Sequence, residues 1–327
     1  MNGRLRVNVL RIVMACLLLF IVPSHGQAQE YPNRPVRLVV PWPTGGSADI
    51  VMRIVSQRLQ ELWGQPVVVE NRGGAAGNIG AELVARAAPD GYTLLYGAMS
   101  THAMNPWLYP KMSFDLLKDF EPICLMVVGT TVLVVPAALP VNSVQELIAL
   151  AKAKPGQLNY GSVGIGSFSH LAGELLRSGA NIDVTHVAYK GGAEALVDLV
   201  AGRLDFLFTV APSALPYVKS GRLKMIAMAD EKRSASFPEL PAIAETLPGF
   251  DISLWSAVLA PAGTPRPIVD RINRDIRRVL DMPEVRARLV ELGSVMVGST
   301  PDEFRSRMQS DAAKWRRVIR DAGVKME

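Results

Sequence analysis

The sequence predicts an α/β fold of two domains, each with a mainly parallel sheet flanked by helices. Strand patterns and helical patterns alternate along most of the chain, beginning with a βαβαβ unit over residues 36–97. This alternation is typical of parallel sheets. About 300 residues remain after a predicted leader, and chains of that length usually form more than one domain.

The first unit starts with the apolar strand Val36–Val40 and a helix whose apolar residues recur every three or four positions from Ile50 to Leu62. A strand at Val67–Val69, a helix that begins near Asn78 and a strand at Thr93–Gly97 complete the unit. Each strand is followed by a polar loop. In open parallel sheets, ligands bind at the carboxyl ends of the strands, so these loops are candidate binding positions.

A long apolar stretch, Pro122–Pro136, exceeds the length of an ordinary strand and predicts a strand that crosses between domains. The α/β alternation then continues over residues 143–229, and Ile252–Leu259 is the second predicted crossing strand. Three amphipathic helical stretches, which begin at Pro265, Pro283 and Pro301, end the chain.

The first 28 residues have the pattern of a cleaved secretory signal peptide. Arg4, Arg6 and Arg11 precede the apolar run Ile12–Val22, and Gly26-Gln27-Ala28 offers a small-x-small cleavage site. The run is shorter than the roughly 20 residues that a transmembrane helix needs. The sequence therefore predicts an exported, soluble chain.

Charge and cysteine content exclude several classes of protein. The leader has three of the 35 basic residues and none of the 30 acids, which leaves the mature chain near +2 and does not indicate nucleic-acid binding. Cleavage would leave Cys124 alone, so no intramolecular disulfide is expected. We also find no sequence motif for a metal site, and we expect a monomer without metal or cofactor.

The loop Pro41–Asp49 is the first candidate anion site. Gly45 and Gly46 allow a close approach of the backbone, and the helix that follows begins with unpaired N–H groups and a partial positive charge. Trp42 would shield a ligand there, or it would simply fill the core. The same residues are equally compatible with an ordinary strand-to-helix turn, in which glycine and a capping acid serve only to shape the backbone.

Other strand-end loops offer weaker candidates. Gly161–Ser169 resembles a dinucleotide fingerprint but has Ser169 where the third glycine belongs, so a nucleotide is disfavoured. Lys190 would neutralise an anion or remain solvated. Ser100 and His102 lie in the third loop, and His102 is interpreted as a ligand contact or a structural hydrogen bond, because no nucleophile is identifiable nearby. For His170, polar packing is the favoured role.

Six ordered motifs resemble the periplasmic substrate-binding proteins of tripartite tricarboxylate transporters, the Bug family. They are PWPTGGSAD (41–49), VENRGGAAGNIG (69–80), DGYTLL (90–95), YGSVGIGS (160–167), YKGG (189–192) and WSAVLAPAGTP (255–265). The resemblance implies a two-lobed type II periplasmic binding fold, with two crossing strands as the hinge. The implied domains are residues 29–130 with 252–327, and 131–251, after the signal peptide 1–28.

In this family, backbone groups and water of the first two loops typically hold a carboxylate. Together with the candidates above, the predicted ligand-binding residues are Trp42, Thr44, Gly45, Gly46, Ser47, Gly73, Gly74, Ala75, Ala76, Gly77, Asn78, Ser100, His102, Ser162, Ser167, Lys190 and Thr209. Relatives typically place an acid where this chain has Thr209. A ligand with an ammonium group is therefore disfavoured, and a plain carboxylate, aliphatic or aromatic, is expected.

The resemblance implies a solute-binding protein that captures a small organic carboxylate and delivers it to membrane transporter subunits. No catalytic residue is expected. Two alternatives stay open: a periplasmic sensor that docks on a membrane receptor, and an enzyme that uses the same cleft, for which His102, His170 and Lys190 are the candidates.

Overall fold

Two β-sheets flanked by helices form the protein. The computed structural model describes residues 31–109, 111–234 and 237–324. The first sheet consists of β1 (Val36–Val40), β2 (Val67–Asn71), β3 (Thr93–Ala98), β4 (Phe120–Gly129), β10 (Leu254–Pro261) and β11 (Ser294–Met296). The second sheet consists of β5 (Thr131–Pro136), β6 (Asn159–Ser162), β7 (Thr185–Ala188), β8 (Phe206–Val210) and β9 (Leu223–Met228). The predicted signal peptide lies outside the described residues.

Ten α-helices are described. They are α1 (Ser47–Trp63), α2 (Asn78–Ala85), α3 (Asn105–Leu108), α4 (Val144–Ala153), α5 (Phe168–Ala180), α6 (Gly192–Val200), α7 (Ala211–Lys219), α8 (Arg266–Leu280), α9 (Pro283–Glu291) and α10 (Pro301–Ala322). None of the described helices combines the length and the apolar character needed to cross a membrane.

Both sheets are mixed, which corrects the expectation of mainly parallel sheets. In the first, ordered β11-β4-β10-β3-β1-β2, strand β1 is parallel to β2 and β3, while β10 is antiparallel to both neighbours. In the second, ordered β7-β6-β8-β5-β9, β6 is parallel to both neighbours and β5 is antiparallel to both. A parallel pair needs a long crossover connection, whereas β5 enters its sheet directly from the other one.

The chain passes between the sheets twice, as predicted. Thr130 alone separates β4 from β5, so the long apolar stretch is two strands in different sheets. The return leads from β9 to β10. Ala229, at the start of the return, links it to the first passage, because its N–H donates to Thr131 O at 2.8 Å. Its carbonyl accepts a hydrogen bond from Ile252 N, at the end of the return, also at 2.8 Å. The domain boundaries themselves stay a prediction.

Two segments differ from the sequence-based expectation. Residues 100–106, expected as a polar loop, form a π-helical turn over Ser100–Met104 that leads into α3. Strand β11 was not predicted, because its three residues are too few to show an alternating pattern.

The C-terminal helices pack on the first sheet, where β4 contacts both α8 and α10. Trp255 on β10 is buried, and its Nε1 donates to Asp311 Oδ2 on α10 at 2.7 Å. Cys124 on β4 is fully buried, and burial raises the pKa of its thiol to about 12. The first sheet is thus built from both halves of the chain.

Candidate functional site

A cavity of about 520 Å³ lies between the two sheets at the carboxyl ends of β1, β3 and β8. Most of its lining belongs to the first sheet and its loops, and Phe168 and Val210 belong to the elements of the second sheet. The lining residues are Trp42, Pro43, Gly46, Ser47, Ala48, Tyr96, Ala98, Met99, Ser100, Phe168, Val210, Leu254, Trp255 and Ser256.

The amino terminus of α1 borders this cavity. Gly46 is its N-cap, with extended backbone angles (φ −74°, ψ 167°) and no side-chain hydrogen bond to the first turn. The helical ladder starts where Ile50 N donates to Gly46 O at 3.0 Å. The N–H groups of Ser47 and Ala48 therefore precede the ladder, at a helix end that favours negative charge.

Asp49 holds this loop in shape. Its Oδ2 accepts hydrogen bonds from Gly45 N and from Arg53 Nε, both at 2.9 Å. The Arg53 hydrogen bond lowers the pKa of the Asp49 carboxyl group, so this group is ionised at neutral pH. Gly45 adopts φ +82°, a left-handed angle that suits glycine. The positive charge of Arg53 therefore balances the negative charge of the Asp49 side chain close to the helix terminus.

The second loop supports the first loop from outside the cavity. Positive φ angles run from Gly74 to Gly77, and they include the non-glycine residues Ala75 and Ala76. Thr101 Oγ1 and Asn105 Nδ2 hold the Ala76 carbonyl at 3.2 and 3.0 Å. Gly73 lies beside Pro43 and Gly77 beside Trp42, as the contacts of an added Cβ show. None of the predicted residues Gly73 to Asn78 is among the lining residues of the cavity.

His102 does not reach the cavity either. It is 1 % exposed, packs its ring against Phe120 and Trp255, and lines a separate cavity of about 600 Å³ next to Trp107. Burial lowers its pKa to about 4. A neutral, enclosed imidazole in this position is part of the core of the first sheet.

In the second sheet, Ser162 stabilises its own loop. The side chain is fully buried, and its Oγ lies 2.6 Å from His186 Nε2 and 3.1 Å from both Gly164 O and Gly164 N. Ser167 is the N-cap of α5, and its Oγ accepts a hydrogen bond from His170 N at 3.3 Å. Both hydroxyl groups are engaged in internal hydrogen bonds, and neither residue is among those that line the cavity.

Histidines form a stack beneath this loop. The rings of His170 and His186 lie 4.0 Å apart, and Tyr160 stacks on His186 at 4.9 Å. His170 Nδ1 accepts a hydrogen bond from Gly166 N, which is the polar packing role that was favoured for it. Burial, and then the neighbouring His170, lower the pKa of His186 to about 4.

Of the predicted ligand-binding residues, the structure brings Trp42, Gly46, Ser47 and Ser100 together around the cavity. Thr44 and Gly45 lie exposed in the same loop as the lining residues, Lys190 is exposed on the second sheet's side, and Thr209 is buried in β8 beside Val210.

Sequence reasoning missed the lining residues on the strands themselves. Tyr96 and Ala98 end β3, and Ser256 on the antiparallel β10 pairs with Ala98. Because β10 runs antiparallel, its beginning meets the carboxyl end of β3. Predicting that register would have identified Leu254 and Ser256.

Two sets of functional groups are absent from the described part of the chain. No Asp, Glu, Lys, Arg or His lines this cavity among the described residues. Within the same residues, no group of three or more His, Cys, Asp and Glu side chains is placed to hold a metal ion. The chemistry that the cavity offers is therefore backbone N–H groups, hydroxyl groups and apolar surface.

Comparison with known proteins agrees with the six motifs. The family model described as tripartite tricarboxylate transporter family receptor matches residues 51–324. Protein BugT of Bordetella pertussis is 38% identical over 329 residues, which cover 98% of this chain and 100% of BugT.

Solved structures are similar over nearly the whole chain. Rpa4515 of R. palustris, solved with adipate, is 35% identical with a TM-score of 0.75, over 91% of this chain and 100% of that one. MatC from Rhodopseudomonas palustris, with bound malate, is 33% identical with a TM-score of 0.71, over 88% and 100%. The fold is accordingly the two-lobed periplasmic binding fold, and this chain belongs to the tripartite tricarboxylate transporter receptors, a family of periplasmic solute-binding proteins.

Proposed function

We propose that this protein binds a small organic carboxylate in the cavity between its sheets and delivers it unchanged to a membrane transporter. One observation supports this site above all: the uncapped first turn of α1 borders the cavity. Backbone N–H groups in that turn can bind a carboxylate directly or through water. The adipate and malate of the two similar structures support the ligand class.

We further propose that the ligand lies between two lobes that close on it. The lobes would be residues 29–130 with 252–327, and residues 131–251, and the joined crossing segments near Thr131 and Ile252 would act as the hinge. Gly46, Ser47, Ser100 and Trp42 would contact the ligand from the first lobe. The mature protein, released by cleavage after Ala28, would act in the periplasm as a monomer.

A thermal-shift screen of the chain from Gln29 onward tests the ligand class. The panel consists of mono-, di- and tricarboxylates, aromatic acids and amino acids. A ligand at about 100 times its dissociation constant adds about 2.7 kcal/mol of stability, which corresponds to several degrees. We expect shifts from carboxylates without an ammonium group. Shifts confined to amino acids would contradict the expected class, and no shift from any acid would contradict carboxylate binding itself.

Ser47→Pro tests the site. Ser47 is the first residue of α1, where proline fits the helix and the extended Gly46 fits before a proline, so the main loss is one N–H donor. A hydrogen bond to a charged group contributes about 1.5–3 kcal/mol, so we expect affinity to fall about tenfold or more at unchanged melting temperature. Ser47→Ala is the control, because it removes the hydroxyl group and keeps the N–H.

Calorimetric titration of both variants separates the outcomes. Equal affinities for wild type and Ser47→Pro would place the carboxylate away from α1. Equal losses in Ser47→Pro and Ser47→Ala would assign binding to the hydroxyl group instead of the backbone.

A further inference from the structure

The cavity between the sheets is lined by the first turn of α1, which has N–H groups to offer, and by apolar side chains; we call the part formed by Phe168, Val210 and Leu254 its apolar end. Resting on the function proposed above, we infer that its ligand is a monocarboxylate with an apolar body, and that Val210 and Phe168 select against a second charge. The first turn of α1 would receive the carboxylate, and the body would extend toward these two residues.

The apolar end is formed by side chains from three different elements. Phe168 is the first residue of α5, Val210 is the last residue of β8, and Leu254 is the first residue of β10. All three are half-buried and line the cavity. A ligand that covers them removes their remaining apolar surface from water, which is favourable.

The sides of the cavity are aromatic. Trp42 and Tyr96 meet edge to face, with ring centroids 5.7 Å apart and an angle of 86° between the ring planes. The Tyr96 hydroxyl group is already paired with Ser256 Oγ at 2.5 Å. Tyr96 therefore offers its ring to a ligand, which suits a flat or flexible hydrocarbon body.

A second carboxylate would lack a compensating partner at the apolar end. None of the described lining residues bears a charge. Two helices begin on that side. The Ser167 hydroxyl group caps α5, and in α7, whose N-cap is Val210, Ala211 N already donates to Thr130 O at 2.9 Å and Pro212 has no N–H group. Removing an ionised group from water without a partner is strongly unfavourable. The dicarboxylates adipate and malate of the two R. palustris proteins would therefore suit this cavity less well.

Matched ligand pairs test this inference by calorimetric titration of the chain from Gln29 onward. Hexanoate and adipate both have six carbons, and adipate has a carboxylate where hexanoate has its terminal methyl group. Terephthalate is benzoate with a second carboxylate on the opposite side of the ring. We expect at least one monocarboxylate to bind at least tenfold more tightly than its partner. Equal or tighter binding of both dicarboxylates would overturn the inference and leave carboxylate binding intact.

Failure of the two proposals is distinguishable. If the only carboxylates of the thermal-shift panel that bind have a second carboxylate or a polar body, the inference is wrong and the proposed function stands. If no carboxylate binds to folded protein, the proposed function fails.

Val210→Lys tests the selecting residue, because it adds a cation at the apolar end. We expect the ratio of hexanoate to adipate affinity to fall at least tenfold. Val197→Lys, an equal change at an exposed position on α6 outside this cavity, should leave the ratio unchanged. An unchanged ratio in folded Val210→Lys would contradict the assignment of Val210.

Val210→Thr keeps the test decisive if the lysine variant does not fold. Threonine preserves the β-branched shape and replaces one methyl group by a hydroxyl group, so we expect a severalfold weaker affinity for hexanoate. Unaltered or tighter hexanoate binding by this variant would overturn the role of Val210.

Discussion

Each of the two sheets has a glycine-rich loop that connects a strand to a helix. The two loops differ in whether a side chain caps the helix that follows. The first, residues 41–46, leaves α1 with Gly46 as an N-cap and no side-chain bond to its first turn. The second, residues 163–167, leads into α5, where Ser167 caps the helix and Ser162 and His170 bind loop backbone groups. Similar sequence patterns thus produce one helix that starts without a side-chain cap and one whose first turn is capped by a serine of the preceding loop.

Because of this difference, we expect substitutions at the two loops to affect different properties, ligand affinity at the first and folding stability at the second. A change at the first loop should alter ligand binding with little effect on folding, because few internal bonds depend on its side chains. A change beneath the second loop should alter folding first. Substitutions at the first loop and beneath the second loop test this division.

The largest effect on stability is expected for Gly173→Ala in α5. An added Cβ at Gly173 would lie 2.1 Å from the Tyr160 ring, which stacks on His186 beneath the second loop. Displacing a buried ring should lower the free energy of unfolding by about 3 kcal/mol. Urea unfolding measures this difference.

Gly179→Ala in the same helix is the matched control. Its added Cβ would have only Leu247 within 4 Å, at an ordinary contact distance of 3.9 Å. Alanine should therefore raise stability slightly, by about 0.5–1 kcal/mol, through helix propensity. Similar losses in both variants would argue against a tightly packed stack.

A smaller loss of stability is expected for Ser162→Ala. The change removes the partner of His186 Nε2 and of Gly164 inside a buried region, which should cost about 2 kcal/mol. Carboxylate affinity should change less than threefold, because Ser162 is fully buried. A tenfold loss of affinity at unchanged stability would instead make Ser162 a ligand contact, as the sequence suggested.

Gly46→Ser should have the smallest effect on folding. It gives the first loop the side-chain cap that only the second loop has in the wild type. Serine tolerates φ −74°, and its hydroxyl group can bond to the first-turn N–H groups that we assign to the ligand. Stability should rise by a few tenths of a kcal/mol, while affinity falls severalfold in a calorimetric titration. Unchanged affinity would indicate that the ligand does not use these donors.

The sequence predicted most of the fold because strands and helices here have clear apolar periods. β1 was predicted with its observed bounds, and the start of β10 was placed two residues early. Strand direction was predicted less well. Whether a strand such as β5 joins its sheet parallel or antiparallel depends on which sheet it enters, and apolar periodicity does not encode that choice.

The candidate site was predicted only where a local motif marks it. The loop of Gly46 and Ser47 was identified from its glycines and the helix that follows. Phe168 and Val210 border the same cavity only because distant elements meet there, so no local signal distinguishes them from core residues. Ser162 has the residue type of a ligand contact, yet His186, which lies 24 positions further along, occupies its hydroxyl group.

The enclosed thiol of Cys124 has a practical consequence for studying lobe closure. A thiol with a pKa near 12 and no exposure will not react with maleimides at neutral pH, because the thiolate is the reactive species. Cys16 is the second cysteine of the chain and lies in the predicted leader. A cysteine placed on each side of the cleft would then accept fluorophores selectively, and energy transfer between them would report closure in the otherwise native protein.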